Sequence, residues 1–140
     1  MDTKPRYQDH YPIVVTPDIR ACQAFWEQRL GWSCGFASSW FVWLCSEDGS
    51  ASLAFMSPDH PSAPPGPETF SGLGLCFELQ VVDAKAAHAD FVARGGSVGL
   101  PLTDEAFGQR RFGFRDPSGL WVDVVEQIEP QAGYWDRYMV

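Results

Sequence analysis

The sequence predicts an α+β fold: two tandem βαβββ modules forming a curved mixed sheet around a cleft, with the helices on the convex side. Two observations carry the duplication and the α+β order, though not the third strand after each helix. The chain repeats itself 65 residues on, where Asp18-x-x-Ala21-x-x-Ala24-x-Trp26-x-x-Arg29-x-Gly31 recurs without a gap as Asp83-x-x-Ala86-x-x-Ala89-x-Phe91-x-x-Arg94-x-Gly96. That is the mark of an internal duplication. Each copy also runs in the same order, an alternating strand pattern, a helical pattern, then two short apolar runs around a turn. One copy alone is too small to bury a good core, so the two must pack together. The surface they share is the natural place for a site.

In the first copy, Tyr11, Ile13 and Val15 alternate with Pro12, Val14 and Thr16 as a strand requires. Thr16-Pro17-Asp18 reads as a helix start, with Thr16 as the cap, Pro17 at the first helical position and Asp18 near the positive dipole end. Ile19, Cys22, Trp26 and Leu30 recur at helical spacing, and Gly31 stops the helix. Residues 40–45 and 52–57 then flank the turn Asp48-Gly49-Ser50.

In the second copy, Phe77, Leu79 and Val81 form an apolar face, while Cys76, Glu78 and Gln80 form a more polar one. Asp83 caps the helix, Ala87, Phe91 and Val92 mark its buried stripe, and Gly95-Gly96 end it. Residues 110–115 and 120–127 flank Asp116-Pro117-Ser118-Gly119. The repeated alanines are small positions that let each helix lie close against a sheet. Superposing the two turn glycines raises the offset from 65 to 70, so the second copy has gained residues between helix and hairpin. Val42/Leu44 and Phe112/Phe114 are apolar in both copies and are assigned to the core. Phe41, Trp43 and Arg111 are thereby assigned to the cavity face.

The whole chain, 1–140, reads as one domain: module 1 over about 9–57, a linker 58–71, module 2 over about 72–128 and a tail 129–140. The prolines of Ser57-Pro58-Asp59-His60-Pro61-Ser62-Ala63-Pro64-Pro65-Gly66-Pro67 exclude helix or central strand, leaving a stiff linker. The tail carries Tyr134, Trp135 and Tyr138, too large to leave in water, and is expected to dock on its own domain or on a second chain.

Six Trp, ten Phe and four Tyr are many for 140 residues, a surplus that suits a pocket for a flat or apolar ligand. A net charge of −8 argues against a nucleic-acid partner, whose phosphates need a basic face. Cys22, Cys34, Cys45 and Cys76 lack metal-type spacing, and no secretion signal or bilayer-length apolar run is seen. The expectation is a cytoplasmic protein with reduced thiols and no membrane partner.

The repeat, together with Arg115-Asp116-Pro117-Ser118-Gly119-Leu120-Trp121-Val122-Asp123-Val124-Val125-Glu126, resembles the vicinal oxygen chelate superfamily, which includes glyoxalase I, extradiol dioxygenases and bleomycin-resistance proteins. The likeness spans roughly residues 9–128. Val15-Thr16-Pro17-Asp18 through Gly31-Trp32, and Gly108-Gln109-Arg110-Arg111-Phe112-Gly113-Phe114, most resemble the bleomycin-resistance members. The resemblance implies a homodimer in which modules pair across chains. It also implies a divalent metal, held by one ligand seven residues before each helix-capping Asp and one four residues after each turn Gly. Those places are Tyr11, Leu53, Cys76 and Asp123.

Tyr, Leu, Cys and Asp do not make that site. Leu53 offers no lone pair, and Tyr11 would have to lose a proton from a pKa near ~10. One carboxylate and one thiol fall short of the three protein ligands of a catalytic centre. His10, His60 and His88 share no metal-binding spacing and read as surface residues; strand alternation turns His10 to the opposite face. Glu78 and Asp123 form an acidic pair for a cationic group or a base, unless Arg110, Arg111 or Arg115 pairs with them. Cys76, with no base or positive field beside it, reads as a buried structural cysteine. Trp121 shares strand parity with Asp123.

The function that the resemblance to bleomycin-resistance proteins implies, with these residues in the cleft, is metal-independent sequestration of a small aromatic or cationic, antibiotic-like molecule, without cofactor or catalytic residues. Its ligand-binding set is Tyr11, Phe41, Trp43, Leu53, Cys76, Glu78, Arg111, Trp121 and Asp123. One alternative is a lyase, isomerase or dioxygenase holding a metal in a shifted arrangement of Asp123, Glu78 and His10. The other is an interaction module whose cleft is filled by its own side chains.

Overall fold

Each copy of the repeat folds as a strand, a helix and three further strands. The computed structural model describes residues 3–62 and 65–140. Module 1 contains β1 (Ile13–Val15), α1 (Ile19–Leu30), β2 (Ser33–Ala37), β3 (Phe41–Cys45) and β4 (Ser52–Met56). Module 2 contains β5 (Cys76–Gln80), α2 (Ala84–Ala93), β6 (Leu100–Glu105), β7 (Gln109–Arg115) and β8 (Trp121–Gln127), followed by a 3-10 helix at Tyr134–Arg137. The strands form two four-stranded mixed sheets of identical order, β1-β4-β3-β2 and β5-β8-β7-β6. In each, the first strand pairs in parallel with the last. Within one chain the sheet is therefore not continuous: the modules are joined by side-chain packing rather than by a shared ladder.

The strands that follow the helices, β2 and β6, have no clear alternation in sequence. Both are edge strands with a register shift, between Cys34 and Phe36 in one and between Leu100 and Thr103 in the other. A bulge resets the period of two, and Pro101 further weakens the strand signal of β6.

α1 is capped by Asp18, whose carboxylate accepts from the Ala21 N–H at 2.9 Å, and not by Thr16. The reason is the sheet: the Thr16 N–H donates to the Met56 carbonyl, so the chain is still extended there. The repeat partner Asp83 caps α2 through Ala86 in the same way. On α2 the buried positions are Ala84 and Phe91, whereas Val92 is exposed, turned about 100° from Phe91 around the helix. In β1, Val14 and Val15 are both buried, because the Phe70 N–H bonds the Val15 carbonyl and that segment covers the sheet edge.

One core serves both modules. Ile19, Cys22 and Trp26 of α1 and Phe91 of α2 pack with Val42, Leu44, Leu53 and Phe55 of the first sheet and Phe112, Phe114, Val122 and Val124 of the second. Phe25 of α1 meets Phe91 and Phe114, with ring centroids 6.3 and 5.7 Å apart. At the centre the buried Trp26 Nε1 donates across the junction to Asp116 Oδ2 at 3.0 Å. Asp116 Oδ1 meanwhile accepts from the N–H groups of Ser118 and Leu120 and from the Ser118 hydroxyl, which shapes the β7–β8 turn. The repeated arginines lock the helix ends reciprocally. Arg29 Nη1 donates to the Arg94 carbonyl at 2.6 Å, and the Arg94 guanidinium lies against Gly31.

The linker residues 63 and 64 lie outside the described residues. Its described part is organised around His60, whose Nδ1 accepts from the Ser62 N–H and whose Nε2 lies 3.3 Å from the Gly66 carbonyl. The tail docks on its own chain, where Trp135 Nε1 donates to the Phe107 carbonyl at 2.9 Å.

The junction bond is separable from the turn. In Asp116→Asn the amide oxygen serves the turn, but the amide nitrogen then faces the Trp26 N–H, donor against donor. Loss of this buried pairing should cost about 1–3 kcal/mol by urea denaturation. Trp26→Phe should lose a similar amount, and the double variant should cost clearly less than the sum. Burial raises the Asp116 pKa. A raised native carboxylate adds stability below its unfolded value near ~4 and loses it as pH rises through the native value. The advantage of the wild type over Asp116→Asn should therefore shrink between acid pH and neutrality.

Candidate functional site

Strand parity puts one set of side chains on the helix side of each sheet and another on the open side. In the second sheet β8 lies between β5 and β7, so Asp123 stands opposite Glu78 on one flank and Gly113 on the other. Trp121 is the next residue on the same face, opposite Cys76. Asp123 is 3% exposed and its charge is met in full: Arg111 Nη1 lies 2.9 Å from Oδ2, and Trp121 Nε1 donates to Oδ1 at 2.7 Å. Arg111 is held from behind by the Phe107 ring, 5.4 Å from its guanidinium carbon, and Arg115 sits 5.5 Å over Trp121.

The Trp121 indole lies flat on the sheet because β7 has no side chain beneath it. A Cβ on Gly113 would come within 2.4 Å of the indole. The first sheet repeats the device with different residues: a Cβ on Gly35 would lie 2.3 Å from Trp43. Trp43 meets Tyr11 edge to face, with centroids 6.4 Å apart, and Phe41 lies two residues along the same face. The Trp43 Nε1 is buried without a hydrogen-bond partner among the described residues. Sequence reasoning passed over Gly35, Gly113 and Phe107. A glycine inside a strand is the available signal for the first two, since it marks a close approach. Nothing local points to Phe107.

Leu53 belongs to the other face. It pairs with Leu44 across the ladder and is fully buried in the core beside α1. The error is one residue of register. The first hairpin turn closes from Ser46 to Ala51, the second from Asp116 to Leu120, so the first has one more residue. The residue of module 1 that matches Asp123 is Ala54, opposite Ile13 as Asp123 is opposite Glu78. One extra residue in a turn flips every side chain beyond it.

Cys76 is exposed rather than buried. Its thiol pKa is raised, first by partial desolvation, then by the carboxylates of Asp123 and Glu78. Cys22, buried beside Asp116, is pushed up to about 12. Neither thiol is prepared as a nucleophile.

The metal implied by the resemblance does not fit these residues. Ala54 has no donor, Asp123 is spent on Arg111 and Trp121, and the guanidinium beside it repels a cation. Among the described residues no group of three His, Cys, Asp or Glu side chains could hold an ion. His10 and Glu78 border the same small groove of about 150 Å³, but Asp123 does not line it. A larger groove of about 590 Å³ runs between the first hairpin turn and β5, lined by Trp32, Asp48, Leu79 and Val81. No helix among the described residues is long and apolar enough to cross a membrane.

The surrounding carboxylates make a checkable statement about Cys76. At neutral pH, iodoacetamide should label this exposed thiol several-fold more slowly than a free cysteine peptide, measured by mass spectrometry of the digest, and Glu78→Gln should speed it.

Comparison with known proteins agrees with this architecture. A glyoxalase/bleomycin resistance protein/dioxygenase from Nocardioides superposes with a TM-score of 0.73 at 20% identity, over 94% of this chain and 91% of that one. A virulence protein from Salmonella typhimurium gives 0.69 at 16% identity, covering 89% and 100%. A lactoylglutathione lyase from Agrobacterium tumefaciens gives 0.66 at 20% identity, covering 88% and 96%. At these identities the likeness is one of fold. No curated protein matches the sequence. The model of one family does match, over residues 8–124, and the chain belongs to that family, the glyoxalase/bleomycin resistance protein/dioxygenase superfamily.

Proposed function

We propose that this chain binds and sequesters a small flat molecule without a metal, as its likeness to bleomycin-resistance proteins suggests. The observation that carries the reading is what occupies the open sheet faces. Where metal ligands would stand there are Tyr11, Ala54, Cys76 and an arginine-paired Asp123, and beside them lie indoles seated over Gly35 and Gly113. Each well-buried ring contributes about 1.5–3 kcal/mol to holding an apolar ligand. The Trp121–Asp123–Arg111 chain adds a fixed polar edge that orients it.

Asp123 is neutralised by Arg111, so a cationic group on the ligand finds its counter-charge at Glu78, exposed on the same face. An antibiotic-like aromatic with one basic group fits that distribution. The two open faces belong to separate sheets within a chain. A homodimer that sets the Trp43 face of one protomer against the Trp121 face of its partner makes a closed cleft from both. The 45% exposure of Tyr11 and 56% exposure of Phe36 favour such a cover.

Untagged protein should carry substoichiometric metal, run as a dimer by light scattering, and yield thermal-shift hits among flat basic and phenolic compounds that a chelator does not abolish. Trp43→Ala and Trp121→Ala should each weaken the best hit by about tenfold or more, which is about 1.4 kcal/mol. Stoichiometric metal whose removal abolishes binding would sink the reading, as would a screen without hits. A monomer would remove the cross-chain cleft.

A further inference from the structure

We infer that the C-terminal segment 129–140 acts as a strap that positions Arg111 through Phe107, holding its guanidinium on Asp123. After β8 the chain folds back onto the turn between β6 and β7. The Ile128 N–H, at the root of the segment, donates to the Gly108 carbonyl and the Gln131 N–H to the Ala106 carbonyl, both at 2.9 Å. The Trp135 indole N–H donates to the Phe107 carbonyl, also at 2.9 Å, and the Tyr134 ring stands 6.3 Å from that of Phe107. All four contacts land on residues 106–108.

The turn so held presents the face of Phe107 to Arg111, 5.4 Å from its guanidinium carbon. Arg111 has two carboxylates within reach. Nη1 is 2.9 Å from Asp123, and Nε is 3.7 Å from Glu105 on β6. One conformation serves both, but Nε is buried without a hydrogen-bond partner among the described residues. A long arginine side chain samples other rotamers unless something limits them; an aromatic face does so by attracting the flat cation. With the ring in place the guanidinium favours Asp123, whose other oxygen is then free to hold the Trp121 N–H at 2.7 Å. The order of dependence runs from Tyr134 and Trp135 to Phe107, then Arg111, Asp123 and Trp121. Phe107 and the tail are positioning residues, and they touch no ligand in this account.

The consequence for binding rests on the site proposed above, but the coupling is read without ligand. The molecule supplies its own reference, because two indole N–H groups donate to carboxylates, Trp121 to Asp123 and Trp26 to Asp116. Hydrogen exchange of both is followed by NMR on the full chain, with peaks assigned from Trp121→Phe and Trp26→Phe. In Phe107→Leu and in Trp135→Phe the Trp121 indole should exchange about tenfold faster while Trp26 stays within about twofold, as expected of local opening. Phe107→Tyr, which keeps the ring, should restore the wild-type rate. An unchanged Trp121 rate overturns the inference, and so does parallel acceleration of both indoles, which reports general loosening. Should Phe107→Leu fail to fold, Trp135→Phe decides. A failed ligand screen with the coupling intact would strike the binding proposal and leave the strap standing.

Discussion

The bond from Trp26 to Asp116 is the constraint on which the remaining architecture depends. It joins a helix of one module to a turn of the other through a pair that is almost wholly removed from water. The two sheets share no ladder, so their relative position is decided by this bond, the aromatic packing around it and the arginines at the helix ends. Hydrophobic burial supplies most of the favourable free energy but is indifferent to orientation. The buried carboxylate is not indifferent: it costs desolvation unless the indole and the turn amides all reach it. A sheet displaced from its neighbour would leave that charge short of a partner.

With the helix sides of both sheets spent on a common core, the open faces inherit the functional possibilities. There the design is subtractive. Glycine in β2 and β7 clears floor for an indole on each sheet, Ala54 carries no donor atom, and Asp123 is already paired with Arg111.

The repeat, the helix spans, the glycine stops and the division of Val42, Leu44, Phe112 and Phe114 into the core were legible in the residues because they depend on local periodicity. The cap of α1 was placed two residues early, at Thr16 rather than Asp18, although the repeat partner Asp83 was recognised as the cap of α2. The failures in placing the strands share one cause. Leu53 was placed on the open face by counting from a turn glycine, and a turn longer by one residue reversed it. β2 and β6 escaped because bulges break their alternation. These three are questions of register, which a strand settles with a neighbour distant in sequence; Val92 and Cys76, expected to be buried, are exposed because no described residue packs over them.

The amino-acid order by itself determined that this chain is a duplicated α+β unit whose apolar positions divide between a core and a second, aromatic-bearing face. Those properties follow from residue type and short-range spacing. Tertiary structure alone decided that Asp123 is ion-paired with Arg111, that its counterpart is Ala54, and that Trp43 and Trp121 lie over glycines. These facts are pairings between strands, and the energy of a pairing belongs to two residues at once. No window along the chain contains both.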